Sequence, residues 1–300
     1  MKIENNWLIA DSNTENIVKD PSKNARYNII PSYLIIHYTA GDSASAALNW
    51  FKSIPPQNPD RIAAHIVIAP DGTITQLVAF NRRANHSGYS TWDGRTSFND
   101  FSIGIEIVNP GFVEKLPDGS FKKWINRKKD QFKIYPPDTS SKILEAKHKH
   151  KFWTDNDNDF WFKYTSEQLD SLYKLSKLLI DHYNLINAVG HDDISCARKP
   201  DPGPAFPWDE FKMNVLGRNE VVGKIFIIDS IDGKANFRTD HEVNSTLIKT
   251  LPNGFEVGVI ETFGSWFKVY LVNSKQDVVN TTGQSIKKMG WVHKSLLVEK

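Results

Sequence analysis

Residues Tyr33 to Thr39 (Tyr-Leu-Ile-Ile-His-Tyr-Thr) form an apolar run that reads as a buried strand, with His37 near its end. Phe101 to Asn109 alternates instead. Ile103, Ile105 and Ile107 fall on one face, Ser102, Gly104 and Glu106 on the other. Glu106 therefore points away from the isoleucine layer, and its small neighbours are expected to leave space beside it for a ligand or a metal. Two further β-rich runs, Ala63 to Ala69 and Thr73 to Ala79, flank the turn signal Pro70-Asp71-Gly72 and predict a hairpin.

Helical spacing appears twice in the first two thirds of the chain. Ser43 can cap a short helix carrying Ala46, Ala47, Trp50 and Phe51, which must end before Pro55-Pro56. Thr165-Ser166-Glu167-Gln168 is a capping-box pattern that continues through Leu169, Leu172, Leu175, Leu179 and Tyr183, with Asn184 as the stop. Between Glu114 and Lys163 the chain is charged, with Pro136-Pro137, the basic stretch Lys147 to Lys151 and acidic residues from Asp155 to Asp159, and an irregular surface insertion is expected there. Past Trp208 the texture changes to short β-rich runs, Ile225 to Asp229, Glu256 to Glu261 and Trp266 to Leu271, as in a small barrel. The expected architecture is a mixed α/β domain over 1–215, whose helices flank a central sheet, a linker at 216–221 containing Gly217, and a small all-β barrel over 222–300.

Composition narrows this only a little. Three hundred residues with 40% hydrophobic content suit two domains at about 150 residues each. A net charge of +2, from 37 basic and 35 acidic residues, gives no general case for nucleic acid or anionic membrane as partner. The one cysteine, Cys196, rules out an intramolecular disulfide. Met1 to Trp7 lacks the layout of a secretory signal and no later run reaches membrane-span length, so the cytoplasm is the expected compartment, with non-classical export to the cell wall as the alternative. Oligomeric state leaves no mark on the sequence.

The chemistry concentrates in Gly190 to Trp208, a stretch too rich in proline and glycine for helix or strand that carries His191, Lys199 and Asp201. Catalytic zinc takes three protein ligands and leaves one position for water, whose pKa falls to about 7. His37, His191 and Asp201 are a suitable set, Glu106 is oriented as a general base, and Lys199 is placed to stabilise an oxyanion. That combination points to metal-assisted hydrolysis of an amide or ester.

Ordered motifs carry a further signal: Ile35-Ile36-His37-Tyr38-Thr39-Ala40, Ala64-His65-Ile66-Val67-Ile68, Asn85-His86-Ser87-Gly88 with Trp92-Asp93-Gly94-Arg95, Ser102-Ile103-Gly104-Ile105-Glu106, and Gly190-His191-Asp192-Asp193-Ile194 with Arg198-Lys199-Pro200-Asp201-Pro202-Gly203-Pro204. Over residues 30 to 212 the chain resembles the zinc-dependent N-acetylmuramoyl-L-alanine amidases, which include anhydro-muropeptide recycling enzymes, phage endolysins and animal peptidoglycan-recognition proteins. The resemblance implies one zinc ion held by His37, His191 and Asp201, water activated with Glu106, and Lys199 at the oxyanion. The scissile bond would join the lactyl group of N-acetylmuramic acid to L-alanine in peptidoglycan or muropeptides. An aspartate as third ligand is closer to the recycling branch. Ser195-Cys196-Ala197 departs from the Pro-Gly that relatives carry before Arg198-Lys199. Ala235-Asn236-Phe237-Arg238, Leu251-Pro252-Asn253-Gly254, Trp266-Phe267-Lys268-Val269 and Gly290-Trp291-Val292-His293 are in turn similar to bacterial SH3-like domains, which bind wall or peptide or pack on a catalytic domain.

The remaining histidines and cations have plainer expected roles. His65 is a core residue behind the ligands, whereas His86, Arg95 and Arg198 are candidates to line a peptide cleft. His148 and His150, flanked by lysines, and His182 are expected on the surface, His293 within the barrel, and Cys196 as a small buried residue beside the site. Two other functions compete with the amidase: a non-catalytic muropeptide receptor, and a zinc peptidase acting within the stem peptide.

Overall fold

The structure is a computed structural model of the full chain, and it describes all residues except 14, 126–129, 151–159, 217–223, 273–277, 280–284 and 287. The acidic stretch expected at Asp155 to Asp159 and nearly all of the expected linker lie outside the described residues. The chain divides into two compact units, Met1–Pro207 and Trp208–Lys300. Among the described residues no helix is long and apolar enough to cross a membrane.

The first unit is built on a mixed six-stranded sheet of β1 (Ile17–Lys19), β2 (Tyr33–Tyr38), β3 (Ile66–Ile68), β4 (Ile74–Gln76), β5 (Ser102–Ile107) and β6 (Asn187–Gly190), in the spatial order β6-β2-β5-β3-β4-β1. β6, β2, β5 and β3 run parallel; β3 and β4 form the predicted antiparallel hairpin. Every residue of β2 and β5 is buried, which is why β2 reads as an unbroken apolar run. In the parallel register His37 lies beside Glu106, Ile35 beside Gly104 and Tyr33 beside Ser102, so these six share one face. Val67, the neighbour of Glu106 on β3, belongs to the same face, where it packs with Phe51 of α1 (Ala44–Lys52).

Helix α2 (Ser166–Tyr183) covers the isoleucine face. Its capping box forms as the pattern predicts: Thr165 Oγ1 accepts from the Gln168 amide and Gln168 Oε1 from the Thr165 amide, both at 3.1 Å. Leu172, Leu175 and Leu179 bury its apolar stripe, and Asn184 ends it at φ 52° in the left-handed region, which asparagine tolerates. Gln168 Nε2 also donates to the Val108 carbonyl at 2.7 Å, fastening the start of α2 to the end of β5.

The expectation of an irregular insertion is corrected. Phe132–Tyr135, Phe121–Trp124, Phe112–Lys115, Phe160–Phe162 and Ile143–Glu145 pair, in that order, as a five-stranded antiparallel sheet with its own small core of Val113, Phe121, Ile143 and Phe162. Its strands are three or four residues long and three of them mix lysines with aromatics, so charge hides the alternation.

The second unit holds a seven-stranded antiparallel sheet that includes Ile225–Ile228, Glu256–Phe263 and Trp266–Leu271, the three runs read as strands. Phe226, Ile228, Phe237, Leu251, Val257, Val259, Val269 and Val292 fill its core. His293 pairs with Trp266 inside this sheet.

Candidate metal centre

Parallel pairing brings the C-terminal ends of three strands to one edge: β2 delivers His37, β5 delivers Glu106, and β6 passes directly into His191. Such strand ends are where side chains of an α/β sheet can converge without disturbing the core. Asp201 arrives from the proline-rich loop after β6. The Asp192 amide donates to its carbonyl at 2.6 Å and the Tyr164 hydroxyl to the Pro202 carbonyl at 2.8 Å, so the loop is tied on both sides of the carboxylate.

His37 Nδ1, His191 Nδ1 and Asp201 Oδ2 then meet at one point. The separations are 2.8 Å between the two nitrogens, 3.0 Å from His37 to the carboxylate oxygen and 2.9 Å from His191 to the same oxygen. His191 Nε2 faces the Ser87 carbonyl at 3.0 Å. A carbonyl can only accept, so Nε2 carries the ring proton and Nδ1 presents a lone pair to the cluster. Arg198 Nη2 approaches the same Nε2 at 3.4 Å, but it donates to the nearer Ser87 and Tyr89 carbonyls at 2.7 and 2.8 Å. Buried lone pairs crowded in this way repel one another unless a cation lies among them, and two imidazoles with one carboxylate are a donor set that suits a divalent transition metal. The residues therefore fit a metal ion.

Electrostatics follow from burial. Burial pushes His37 down to about 4, with repulsion from His191 adding to it, and pushes His191 down as well. For Asp201 burial opposes ionisation, yet His191 and His37 outweigh it and hold the carboxyl well below its usual range. Glu106 behaves oppositely: burial and then the Asp201 charge push it well above the carboxylate range, with only Lys199 acting against them. Glu106 is 8% exposed, and among the described residues its Oε2 has no hydrogen-bond partner. Lys199 is half-buried, and its charge is felt by Glu106, His37 and His191 alike.

Of the other named residues, some lie where the sequence suggested and some do not. His86 is buried beneath His37, its Nδ1 3.0 Å from His37 Nε2. Its ring occupies the space over Gly104 that was read as room for a ligand: a Cβ on Gly104 would come within 2.5 Å of it. Arg198 has its guanidinium on the Ser87 and Tyr89 carbonyls, and the Arg95 guanidinium lies over the rings of Tyr33 and Phe101 at 5.7 and 5.6 Å. His65 is fully buried, accepting from the Gly104 amide at 3.0 Å and donating to the Arg82 carbonyl at 2.8 Å. Cys196 is buried and His182 exposed, as expected.

His148 and His150 correct the reading that placed them on the surface: they are 3% and 5% exposed. His148 Nε2 lies 3.0 Å from the Pro200 carbonyl and 3.1 Å from Asp192, while Lys149 reaches Asp192 and Asp193 at 3.1 and 2.9 Å. A basic segment of the insertion is thus seated on the acidic pair that follows His191. The sequence reading did not link His148 to Asp192, although the complementary charge of Asp192-Asp193 and Lys147 to Lys151 was there to read.

Comparison with known proteins places these features in a family. The family model described as N-acetylmuramoyl-L-alanine amidase matches residues 26–204. The 1,6-anhydro-N-acetylmuramyl-L-alanine amidase AmpD of Escherichia coli (strain K12) is 33% identical over 157 residues, 52% of this chain and 59% of that protein, so the match spans little more than half of the relative's length. The N-acetylmuramoyl-L-alanine amidase AmiD of the same organism is 28% identical over 193 residues, 61% of this chain and 53% of that protein. A crystal structure of a selenomethionine derivative of AmpD superimposes with a TM-score of 0.48 at 25% identity, covering 72% of this chain and 99% of that one. With a family match over more than half its length, the chain belongs to the N-acetylmuramoyl-L-alanine amidase family.

Proposed function

We propose that this protein is a zinc-dependent amidase that cleaves the bond between the lactyl group of N-acetylmuramic acid and L-alanine in muropeptides. The observation that carries the reading is the convergence of His37 Nδ1, His191 Nδ1 and Asp201 Oδ2 within 3.0 Å, beside a buried Glu106 on the adjoining strand. The names of the relatives, amidases of anhydro-muramyl-L-alanine and of N-acetylmuramoyl-L-alanine, support the choice of bond.

Held by these three atoms, a zinc ion would supply Lewis acidity toward the scissile carbonyl and would acidify water. Glu106 takes the proton of the attacking water and delivers it to the alanine nitrogen as the carbon–nitrogen bond breaks. Glu106 must be ionised to take that proton, and the raised proton affinity that burial gives it makes the carboxylate a stronger base for that step. The Lys199 ammonium stabilises the negative charge that develops on the carbonyl oxygen. Arg198 fixes the loop carrying Ser87 and Tyr89 against the His191 segment. The second unit, with its similarity to SH3-like domains, is read as a module that holds wall polymer near the site.

Zinc-loaded protein incubated with an N-acetylmuramoyl-peptide should release the intact stem peptide with a free alanine amino terminus, identified by mass. Glu106→Gln should retain zinc while kcat falls by about 10²- to 10⁴-fold, the usual size of a lost acid–base group. Asp201→Ala should lose zinc and activity together. Product masses that place the cut inside the stem peptide favour the peptidase, and tight binding with no cleavage favours a receptor.

A further inference from the structure

His86 is enclosed on every side that the structure describes. Its ring lies against Gly104, its Nδ1 meets His37 Nε2 at 3.0 Å, and its Nε2 meets Ser102 Oγ at 3.4 Å. His65 stands edge-on to it with ring centroids 5.7 Å apart, and its own amide donates to Asn99 Oδ1 at 2.9 Å. None of these contacts reaches solvent, and His86 is only 7% exposed.

The proton positions along this row follow from its far end. The Ser102 hydroxyl donates to the Phe98 carbonyl, an acceptor that can do nothing else, so Ser102 Oγ has only lone pairs left to offer. His86 Nε2 must then be the donor toward Ser102, which leaves His86 Nδ1 without a hydrogen. The His37–His86 contact needs one donor, and that donor can only be His37 Nε2. His37 Nδ1 is left bare, and it is the atom that faces His191 Nδ1 and Asp201 Oδ2.

We propose that His86 is a positioning residue for the metal site: the row Phe98 carbonyl, Ser102, His86, His37 fixes His37 in its Nε2-protonated tautomer and so turns a lone pair toward the cation. The proposal rests on the zinc reading above. His191 reaches the same state by a shorter route, through the Ser87 carbonyl. Both imidazoles are thereby set by backbone carbonyls, one directly and one through two side chains. Gly104 is part of the device, because any larger residue would displace the His86 ring.

Asparagine carries an acceptor oxygen near the position of His86 Nδ1, whereas leucine has none, so the two substitutions separate the hydrogen bond from the packing. Zinc affinity measured by chelator competition should fall about 10- to 100-fold in His86→Leu, the usual effect of losing the partner of a ligating histidine, and stay within about threefold of wild type in His86→Asn. Long-range ¹H–¹⁵N correlation spectra of the zinc-loaded wild type should show His86 protonated at Nε2. Equal losses in the two variants, unchanged affinity in both, or a His86 protonated at Nδ1 overturns the proposal. Should His86→Leu fail to fold by circular dichroism, the asparagine variant and the wild-type spectrum decide. Wild-type protein that takes up no zinc overturns the metal reading instead, and the His86 tautomer remains measurable in it.

Discussion

At the scale of single residues, position in the sequence and position in the site agree where a local pattern sets both. His37 closes an apolar strand, Glu106 sits on the polar side of an alternation, and His191 and Asp201 bracket a loop that prolines make irregular, so their types and spacing were readable. His86 was not, because its burial depends on Gly104 lying across the sheet from it, a contact with no periodic signature. His65 was readable as a core residue, and its burial has a measurable consequence. Burial lowers it from 6.5 to about 4, so on acidification the unfolded chain takes up a proton before the folded one. Its contribution is fully present above pH 6.5 and is lost as the pH falls toward 4, up to on the order of 3 kcal/mol from the size of that shift. Urea unfolding of wild type and His65→Gln at pH 7 and pH 5 should show a smaller acid-induced loss in the variant. An identical loss in both would assign the sensitivity to other groups.

At the scale of elements, those marked by a cap, an apolar stripe or a turn signal were legible, and the short strands of the insertion were not. Helix α2 announces itself by a capping box and a leucine stripe over 18 residues, whereas the insertion's strands are three or four residues each, and three of them mix lysines with aromatics, with Lys123 itself buried. Those short strands nevertheless reach the site. Trp161 is fully buried, donates from Nε1 to the Ala146 carbonyl at 2.9 Å, and packs so closely on Gly203 that a Cβ there would stand 2.7 Å from its ring. Gly203 also has φ +74°, so glycine is required at this point for two independent reasons. Trp161→Ala should cost about 3–5 kcal/mol in denaturant unfolding, as large buried aromatics do, and should weaken zinc retention because the Asp201 loop loses its support. An unfolding midpoint moved without any change in zinc retention would separate the insertion from the loop. Thr165→Ala tests α2 in the same way, with an expected loss of about 1 kcal/mol from the missing cap.

At the scale of the whole molecule, the chain divides into Met1–Pro207 and Trp208–Lys300, whereas the sequence placed the linker at 216–221. Each unit has a core of its own, which makes their contributions separable by experiment. A chain ending at residue 221 should turn over soluble muropeptides at close to the full rate while binding much less to insoluble wall. Equal loss of both properties would mean that the second unit supports the first instead of capturing polymer.

The ligand set joins chain positions far apart: His37 is 154 residues from His191 and 164 from Asp201. A cation bound there would act as a cross-link that closes a loop of more than half the protein, and loop closure on that scale is the entropic cost that a folding chain meets late. Zinc would then guard the fold as well as serve the reaction. At a free concentration one hundred times its dissociation constant it would add about 2.7 kcal/mol to the stability of the native state. Stripping it with a chelator should lower the thermal midpoint of the first unit and leave that of the second in place.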